Sequence, residues 1–309
     1  MAARRCLIAL AALLLLGAAP AADAKPARSS VVLIVLENTE FGEVVGSREA
    51  PFLNRMIERG ALATRYFAVT HPSLPNYLAL FAGSTFGIAE NCTGCVAPGP
   101  NLATQLSRAG ISWRAYMGGM PRACFAGAES GAYVKRHNPF MYSRAVASRP
   151  KLCRRVVPET ALRADLRRGS LPAFAWLSPD LCDNSHDCPL ATADSHLEEL
   201  VPRVERRLGP EGLLIVTFDE GTSDRGAGGH PGGGRVATIL VGPGVQPGTR
   251  LRRVYTHYSL LAALEDRFGL ARLRHARTTP ALKIVRAPAP PPTPALVAQR
   301  ATSAGVGLP

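Results

Sequence analysis

Val31 to Leu36 is an unbroken apolar run rich in β-branched residues, and it passes directly into Glu37 and Asn38. So short and continuous a run predicts a parallel strand buried on both faces, with polar groups at its C-terminal end. Leu213 to Phe218 repeats the design and runs into Asp219 and Glu220. Open α/β sheets bind ligands at the carboxyl ends of their strands, so the two strand ends are expected to converge on one crevice.

Between and after these runs the pattern alternates helix and strand. Phe52, Leu53, Met56 and Ile57 mark an amphipathic helix over 51–58 that Gly60 ends. A short strand is predicted over 65–69. Thr70-His71-Pro72-Ser73-Leu74-Pro75-Asn76-Tyr77 follows, leading into a helix that closes near Gly83. Pro75 suits a first helical turn, which leaves Ser73 on the strand-to-helix turn at a positive dipole end. Further helices are predicted over 101–109, 159–168, 191–208 (with Pro202 as a kink) and 257–268. Further strands are predicted over 112–117, 173–177 and 236–241. The fold class is therefore α/β, a mainly parallel sheet with helices on both faces.

Composition adds a compartment. Arg4 and Arg5, the apolar stretch from Cys6 to Leu16 and Ala22-Asp23-Ala24 have the layout of a secretory signal over residues 1–24. Cleavage there removes two arginines and one aspartate, so the formal charge stays close to the +13 of the full chain. Cys92, Cys95, Cys124, Cys153, Cys182 and Cys188 remain, an even set that in an exported chain implies disulfides between nearest neighbours. A four-cysteine zinc site is the competing reading for the first two pairs. Residues 25–285 suffice for one α/β domain, and 286–309 read as a Pro-rich, disordered tail. No later apolar run is long enough to span a bilayer, so stable membrane insertion is not expected. The basic charge favours anionic substrates or surfaces, but without a basic cluster interleaved with aromatics nucleic acid is not the expected partner. Oligomeric state leaves no mark on the sequence.

Glu37, Asn38, Asp219 and Glu220 meeting at strand ends would suit a hard or borderline divalent cation, against the plainer reading that Glu37 and Asp219 cap turns. Ser73 at a helix start is a candidate nucleophile beside such a cation, although serine there is usually a cap. His137, His186 and His230 lie in loops and can bind phosphate oxygens or protonate a leaving alkoxide. Lys135, Arg136 and His137 together can meet a phosphate or form a solvated basic turn. A Cys182–Cys188 bridge would pin Asp183, Asn184, His186 and Asp187. The glycine-rich stretch from Gly221 to Gly234 lacks a phosphate-loop pattern and reads as a mobile rim of the site.

Taken in order, Glu37-Asn38, the block from Thr70 to Tyr77, Lys135-Arg136-His137-Asn138-Pro139, Ser178-Pro179-Asp180 with His186-Asp187, and Phe218-Asp219-Glu220-Gly221 resemble the bacterial phosphoesterase family of acid phosphatases and phospholipases C, within the alkaline phosphatase superfamily. The resemblance runs from about Val31 to Leu273. It implies a metal held by Glu37, Asn38, Ser73, Asp219 and Glu220, with Ser73 as nucleophile and His137 and His186 in the active site. Gly229-His230 and the run from Arg235 to Pro243 resemble the superfamily's late metal histidine and the strand after it. The implied activity is hydrolysis of small phosphate esters, most simply by an acid phosphatase, with a phospholipase C-like phosphodiesterase as alternative. The chain is short for the family and lacks the large extra domain of the phospholipases C, which favours the monoesterase. Oxygen ligands admit Mg, Ca, Mn or Fe, and His230 would tilt the choice toward Zn.

Three rivals are weighed against this. A sulfatase is suggested by Ser73-Leu74-Pro75, but the arginine its motif needs two residues after the proline is Tyr77 here. A serine esterase would need G-x-S-x-G, and Ser73 is flanked by Pro72 and Leu74. A non-catalytic envelope-binding protein would explain the basic charge but not the carboxylates at strand ends.

Overall fold

The computed structural model describes residues 30–284, so the expected signal segment and Pro-rich tail lie outside the described residues. At its centre is an eight-stranded sheet with the order Thr249–Leu251, Ala61–Ala63, Thr238–Val241, Leu213–Phe218, Val31–Leu36, Phe174–Ser178, Trp113–Met117, Val156–Pro158. The five strands from Leu213–Phe218 to Val156–Pro158 run parallel. Thr238–Val241 runs antiparallel to both of its neighbours, which makes the sheet mixed. All six residues of Val31–Leu36 and all six of Leu213–Phe218 are buried, as strands covered on both faces must be. Helix Pro51–Arg59 packs on helix Leu190–Glu205, and helix Ser73–Ala82 packs on helix His257–Arg267.

The register of the two central strands decides where chemistry can occur. Val31 pairs with Leu213 and the ladder continues in step to Leu36 with Phe218. The Asp219 N–H then donates to the Leu36 carbonyl at 2.9 Å. Glu37 and Asp219 therefore leave adjacent strands at the same level.

Two predicted elements are shorter than the hydropathy pattern indicates, for one shared reason. The strand expected over 65–69 reduces to Tyr66–Phe67, which pairs in parallel with Tyr255–Thr256 outside the main sheet. Arg235 bridges to Phe67 and Val236 N–H bonds the Tyr66 carbonyl, so the strand expected from Val236 joins the main sheet only at Thr238. Helix Ser73–Ala82 begins at Ser73 itself, with Pro72 before it, and ends at Gly83. Gly83 has φ +73°, and an added Cβ would meet the Leu273 carbonyl oxygen at 2.7 Å, so only glycine fits there.

Cys92–Cys95, Cys124–Cys153 and Cys182–Cys188 are bonded, the nearest-neighbour pairing. The last bridge closes the loop that carries His186, and His196 on helix Leu190–Glu205 anchors the same loop. Its Nδ1 lies 3.2 Å from Asp183 and its Nε2 lies 3.1 Å from Glu159. Burial opposes the charge on this imidazole, but the two carboxylates prevail and raise its pKa to about 10.

A folded-state pKa raised above the free value near 6.5 gives stability that is complete below about pH 6.5 and is lost as the pH passes about 10. His196→Ala should therefore cost about 1 to 2 kcal/mol near neutrality, kept modest by the solvent exposure of Asp183. Urea denaturation of both proteins should show that gap closing toward about pH 10; a gap that stayed constant would mean that His196 contributes packing only.

Candidate active site

Glu37 is fully buried at the end of its strand and is the hub of the site. One of its oxygens, Oε1, accepts from the Tyr77 hydroxyl; the other, Oε2, accepts from Ser73 Oγ at 3.2 Å and lies 3.2 Å from His137 Nε2. Tyr77 and Ser73 share one helix four residues apart, so a single turn presents both hydroxyls to the same carboxylate.

Asp219 is nearly as buried. Its Oδ1 accepts from the backbone N–H of Asn38 at 3.1 Å and of Glu220 at 2.6 Å, while Oδ2 has no hydrogen-bond partner. Asn38 takes a left-handed φ of +49°, which asparagine tolerates better than most residues. Glu220 Oε2 accepts from Asn76 Nδ2 at 3.2 Å and lies 3.1 Å from His71 Nδ1. All three carboxyl groups are held above their usual range. Burial is the first cause for each; Asp219's charge adds to the rise of Glu37 and Glu220.

The histidine tautomers follow from their partners. Asn184 Oδ1 accepts from the His186 N–H at 2.8 Å and its Nδ2 donates to the Pro179 carbonyl at 3.3 Å, which orients the amide. The same Nδ2 therefore donates to His137 Nδ1 at 3.3 Å, leaving the His137 proton on Nε2, which lies 3.2 Å from Glu37 Oε2 without a hydrogen bond to it. Burial first, then Arg136 and His186, push the His137 pKa well down, so the ring is a neutral donor. For His186, Nδ1–H donates to Asp187 at 2.6 Å and Nε2 accepts from Arg136 at 3.3 Å.

Glu37, His137 and His186 each bring one ligand atom within 4.8 Å of the others, the geometry of a three-ligand cation site. The hydrogen-bond roles of the imidazoles argue otherwise: His137 Nε2 carries a proton and both His186 nitrogens are engaged. The three strand-end carboxyl groups fit a divalent cation better, because they are buried, mutually repelling and include the unpartnered Asp219 Oδ2. Asn38, half-buried, makes no side-chain hydrogen bond among the described residues and completes an oxygen-rich set with Ser73.

The structure thus brings together Glu37, Asn38, Ser73, Asp219, Glu220 and His137, with His186 behind His137 at a ring separation of 5.5 Å. His230 is not among them. It is exposed and lines a separate cavity with Arg65, Arg225 and Arg235. The expectation that Lys135, Arg136 and His137 act together is also corrected. Lys135 donates to the Thr93 carbonyl at 2.8 Å and Arg136 turns to His186, so only His137 faces the carboxylates. The helix start offers few free donors: the Leu74 N–H bonds Asn91 Oδ1 at 3.0 Å, and Pro75 has no N–H. The glycine stretch is tethered, because Glu40 accepts from the N–H groups of Thr222, Ser223 and Arg235 and from the Ser223 hydroxyl. A Cβ at Gly221 would come within 2.3 Å of that carboxylate.

Four supporting residues were not singled out from the sequence, although three of them lie in the block from Thr70 to Tyr77. Asn76 accepts from the N–H groups of Val69 and Thr70 and donates to the Thr70 carbonyl and Glu220, which shapes the turn before Ser73. His257 Nε2–H donates to the Asp219 carbonyl at 2.6 Å and its Nδ1 accepts from Tyr66 at 3.0 Å; burial lowers its pKa to about 4. His71 Nε2 lies 3.2 Å from the Ser223 carbonyl, to which it can donate, and its Nδ1 lies 3.1 Å from Glu220 Oε2. Tyr77 is the fourth.

Comparison with known proteins identifies the family of the chain. The model of the Phosphoesterase family matches residues 46–271, a stretch that includes every candidate named above except Glu37 and Asn38. Phosphatidylinositol-3-phosphatase of Mycobacterium tuberculosis is 32% identical over 264 residues, covering 84% of this chain and 83% of that protein. Phosphate-repressible acid phosphatase of Penicillium chrysogenum is 32% identical over 254 residues, covering 78% of this chain but only 59% of its own length. Among solved structures, a protein of the alkaline phosphatase superfamily from Vibrio parahaemolyticus aligns with TM-score 0.56 at 15% identity, over 82% of this chain and 71% of that one, a likeness of fold. The chain belongs to the Phosphoesterase family and is a hydrolase of phosphate esters.

Proposed function

We propose that this phosphoesterase is an exported, metal-dependent phosphomonoesterase of acid phosphatase type that works through a phosphoseryl intermediate on Ser73. The observation that carries the reading is the position of Ser73 Oγ, buried and 3.2 Å from Glu37 Oε2 within a cluster of carboxyl groups that lacks a counter-cation among the described side chains. Glu37, Asn38, Ser73, Asp219 and Glu220 would hold the divalent cation, drawn from Mg, Ca, Mn or Fe. When bound, it would lower the pKa of the seryl hydroxyl and neutralise phosphate charge.

The protein's own groups supply the rest. Ser73 Oγ attacks phosphorus as its proton passes to Glu37 Oε2, the carboxylate oxygen 3.2 Å away. His137 Nε2–H, held neutral, points to the same place and can donate to a phosphate oxygen. The bond from phosphorus to the leaving oxygen breaks, and that oxygen takes a proton from water on the open side of the cluster, where His71 is partly exposed. Water then hydrolyses the phosphoserine. Three disulfides and the expected signal segment support export. A phospholipase C-like phosphodiesterase is the second reading; His71, with 32% of its side chain exposed, leaves the leaving-group side open in a way that suits small monoesters.

Brief reaction with labelled para-nitrophenyl phosphate, an acid quench and peptide mapping should find label on Ser73. Ser73→Ala should lose about 100-fold or more in kcat. Label on Thr70, or an active Ser73→Ala enzyme, would overturn the assignment.

Removal of the metal with a chelator should abolish activity, and a divalent cation should restore it. Glu37→Ala and Asp219→Ala should each retain little metal by elemental analysis while keeping a native far-ultraviolet circular dichroism spectrum. Wild-type metal content in either variant would reduce that residue to a turn cap.

A further inference from the structure

The cavity containing His230 is a basin of about 920 Å3 whose walls carry three guanidinium groups, Arg65, Arg225 and Arg235. Only Arg235 is committed: its Nε donates to the Thr64 carbonyl at 2.9 Å and its guanidinium lies 3.7 Å over the Phe41 ring. The Arg65 and Arg225 side chains have no hydrogen-bond or carboxylate partner among the described residues. The Glu40 carboxylate nearby is consumed by backbone and hydroxyl donors, and Asp224, almost fully exposed, is the other acid of the rim. Burial and then the charge of Arg225 depress the Arg235 pKa; Glu40 opposes them and Arg65 adds a smaller lowering, so Arg225 and Arg65 each repel the Arg235 guanidinium while Glu40 offsets part of it.

Like charges gathered in a concavity create a field that an anion relieves, and a guanidinium fork matches phosphate oxygens in pairs. The basin also adjoins the carboxylate cluster. Asp224 on its wall lies 3.9 Å from His71 Nε2, and Nδ1 of the same ring lies 3.1 Å from Glu220. One imidazole therefore separates the two sites, on the side from which the leaving group departs. Inorganic phosphate or a simple aryl phosphate would leave this basin unused.

We infer that Arg65, Arg225 and Arg235 form a subsite for a second phosphate on the same substrate, so that the preferred substrates are bisphosphorylated polyols whose one phosphate is cleaved while the other is held in the basin. This rests on the phosphomonoesterase reading above and adds the substrate class. The second phosphate can belong to a soluble sugar or to a lipid headgroup, since the basin would bind the same group in either.

Binding to the Ser73→Ala protein, with its metal, separates this inference from turnover. Calorimetry should find fructose 1,6-bisphosphate about ten-fold tighter than fructose 6-phosphate, a ratio that the double variant Arg65→Ala/Arg225→Ala brings close to one. A parallel pair, phosphatidylinositol 3-phosphate and its 3,5-bisphosphate in detergent micelles, tests the lipid-borne source. Selectivity in the soluble pair assigns a free second phosphate; selectivity in the micelle pair alone assigns a lipid headgroup. Equal binding within both pairs, or a double variant that weakens mono- and bisphosphate alike, overturns the subsite. Inhibition of para-nitrophenyl phosphate hydrolysis by the same compounds repeats the comparison on the unaltered protein. If that hydrolysis is absent while the selectivity persists, the catalytic reading fails and the subsite stands.

Discussion

Everything at the catalytic end of this fold depends on one juxtaposition, the two acids Glu37 and Asp219 leaving adjacent parallel strands at the same level. Parallel strands in step lie about 4.8 Å apart, so like charges at their ends meet in a medium of low effective dielectric where repulsion is costly. Burial pushes both carboxyl groups upward, and the charge of Asp219 adds to the rise of Glu37 and of Glu220. A turn-capping role would account for the two backbone donors on Asp219 Oδ1, but not for the full burial of Glu37 among other acids. The arrangement makes physical sense where positive charge enters among the oxygens.

The neighbouring residues keep that repulsion from opening the site. His257 holds the Asp219 carbonyl from below while Asn38 and Glu220 N–H groups hold its Oδ1, so Asp219 is located through both its backbone and its side chain. Tyr77 and Ser73 fasten the two oxygens of Glu37 to one helix. Asn76, on that same helix, ties Glu220 to the turn at Thr70. One ten-residue helix thus contacts acids from both strands, and its burial along its whole length explains why it can serve as a fixed reference for them.

How much of this was legible follows from how far each signal reaches along the chain. An apolar run ending in acids is a local pattern, so the two central strands, their acidic ends and the α/β class could be read directly. Ser73 was visible as a hydroxyl at a helix start, although the helix begins two residues earlier than Pro75 suggested. Disulfide pairing was legible because short separations favour nearest neighbours. By contrast, the roles of His71, Asn76 and His257 depend on hydrogen bonds between segments remote in sequence, which no periodicity encodes. The triple Lys135-Arg136-His137 misled because it forms a tight 3-10 turn, whose adjacent side chains diverge by roughly a third of a turn each. The place of His230 was not legible either: the glycines around it carry no hydropathy signal, and the tether that positions them comes from Glu40, far upstream.

That tether links the chemistry to what surrounds it. Glu40 lies three residues beyond Glu37, on the segment that the Glu37 strand sends outward, and it organises the loop bearing Asp224, Arg225 and His230. The close approach of the loop backbone to Glu40 explains the glycines at 221 and 234, since a Cβ at either would fall within 3 Å of the carboxylate oxygen. The position of the arginine-lined wall is therefore set by the same strand that delivers the central carboxylate. In many enzymes loops drift while a rigid scaffold keeps the reacting groups in place. Here the wall and the reacting groups hang from one strand, so changes in the loop's length or glycine content would alter substrate contacts while the in-register strand ends kept the acids together.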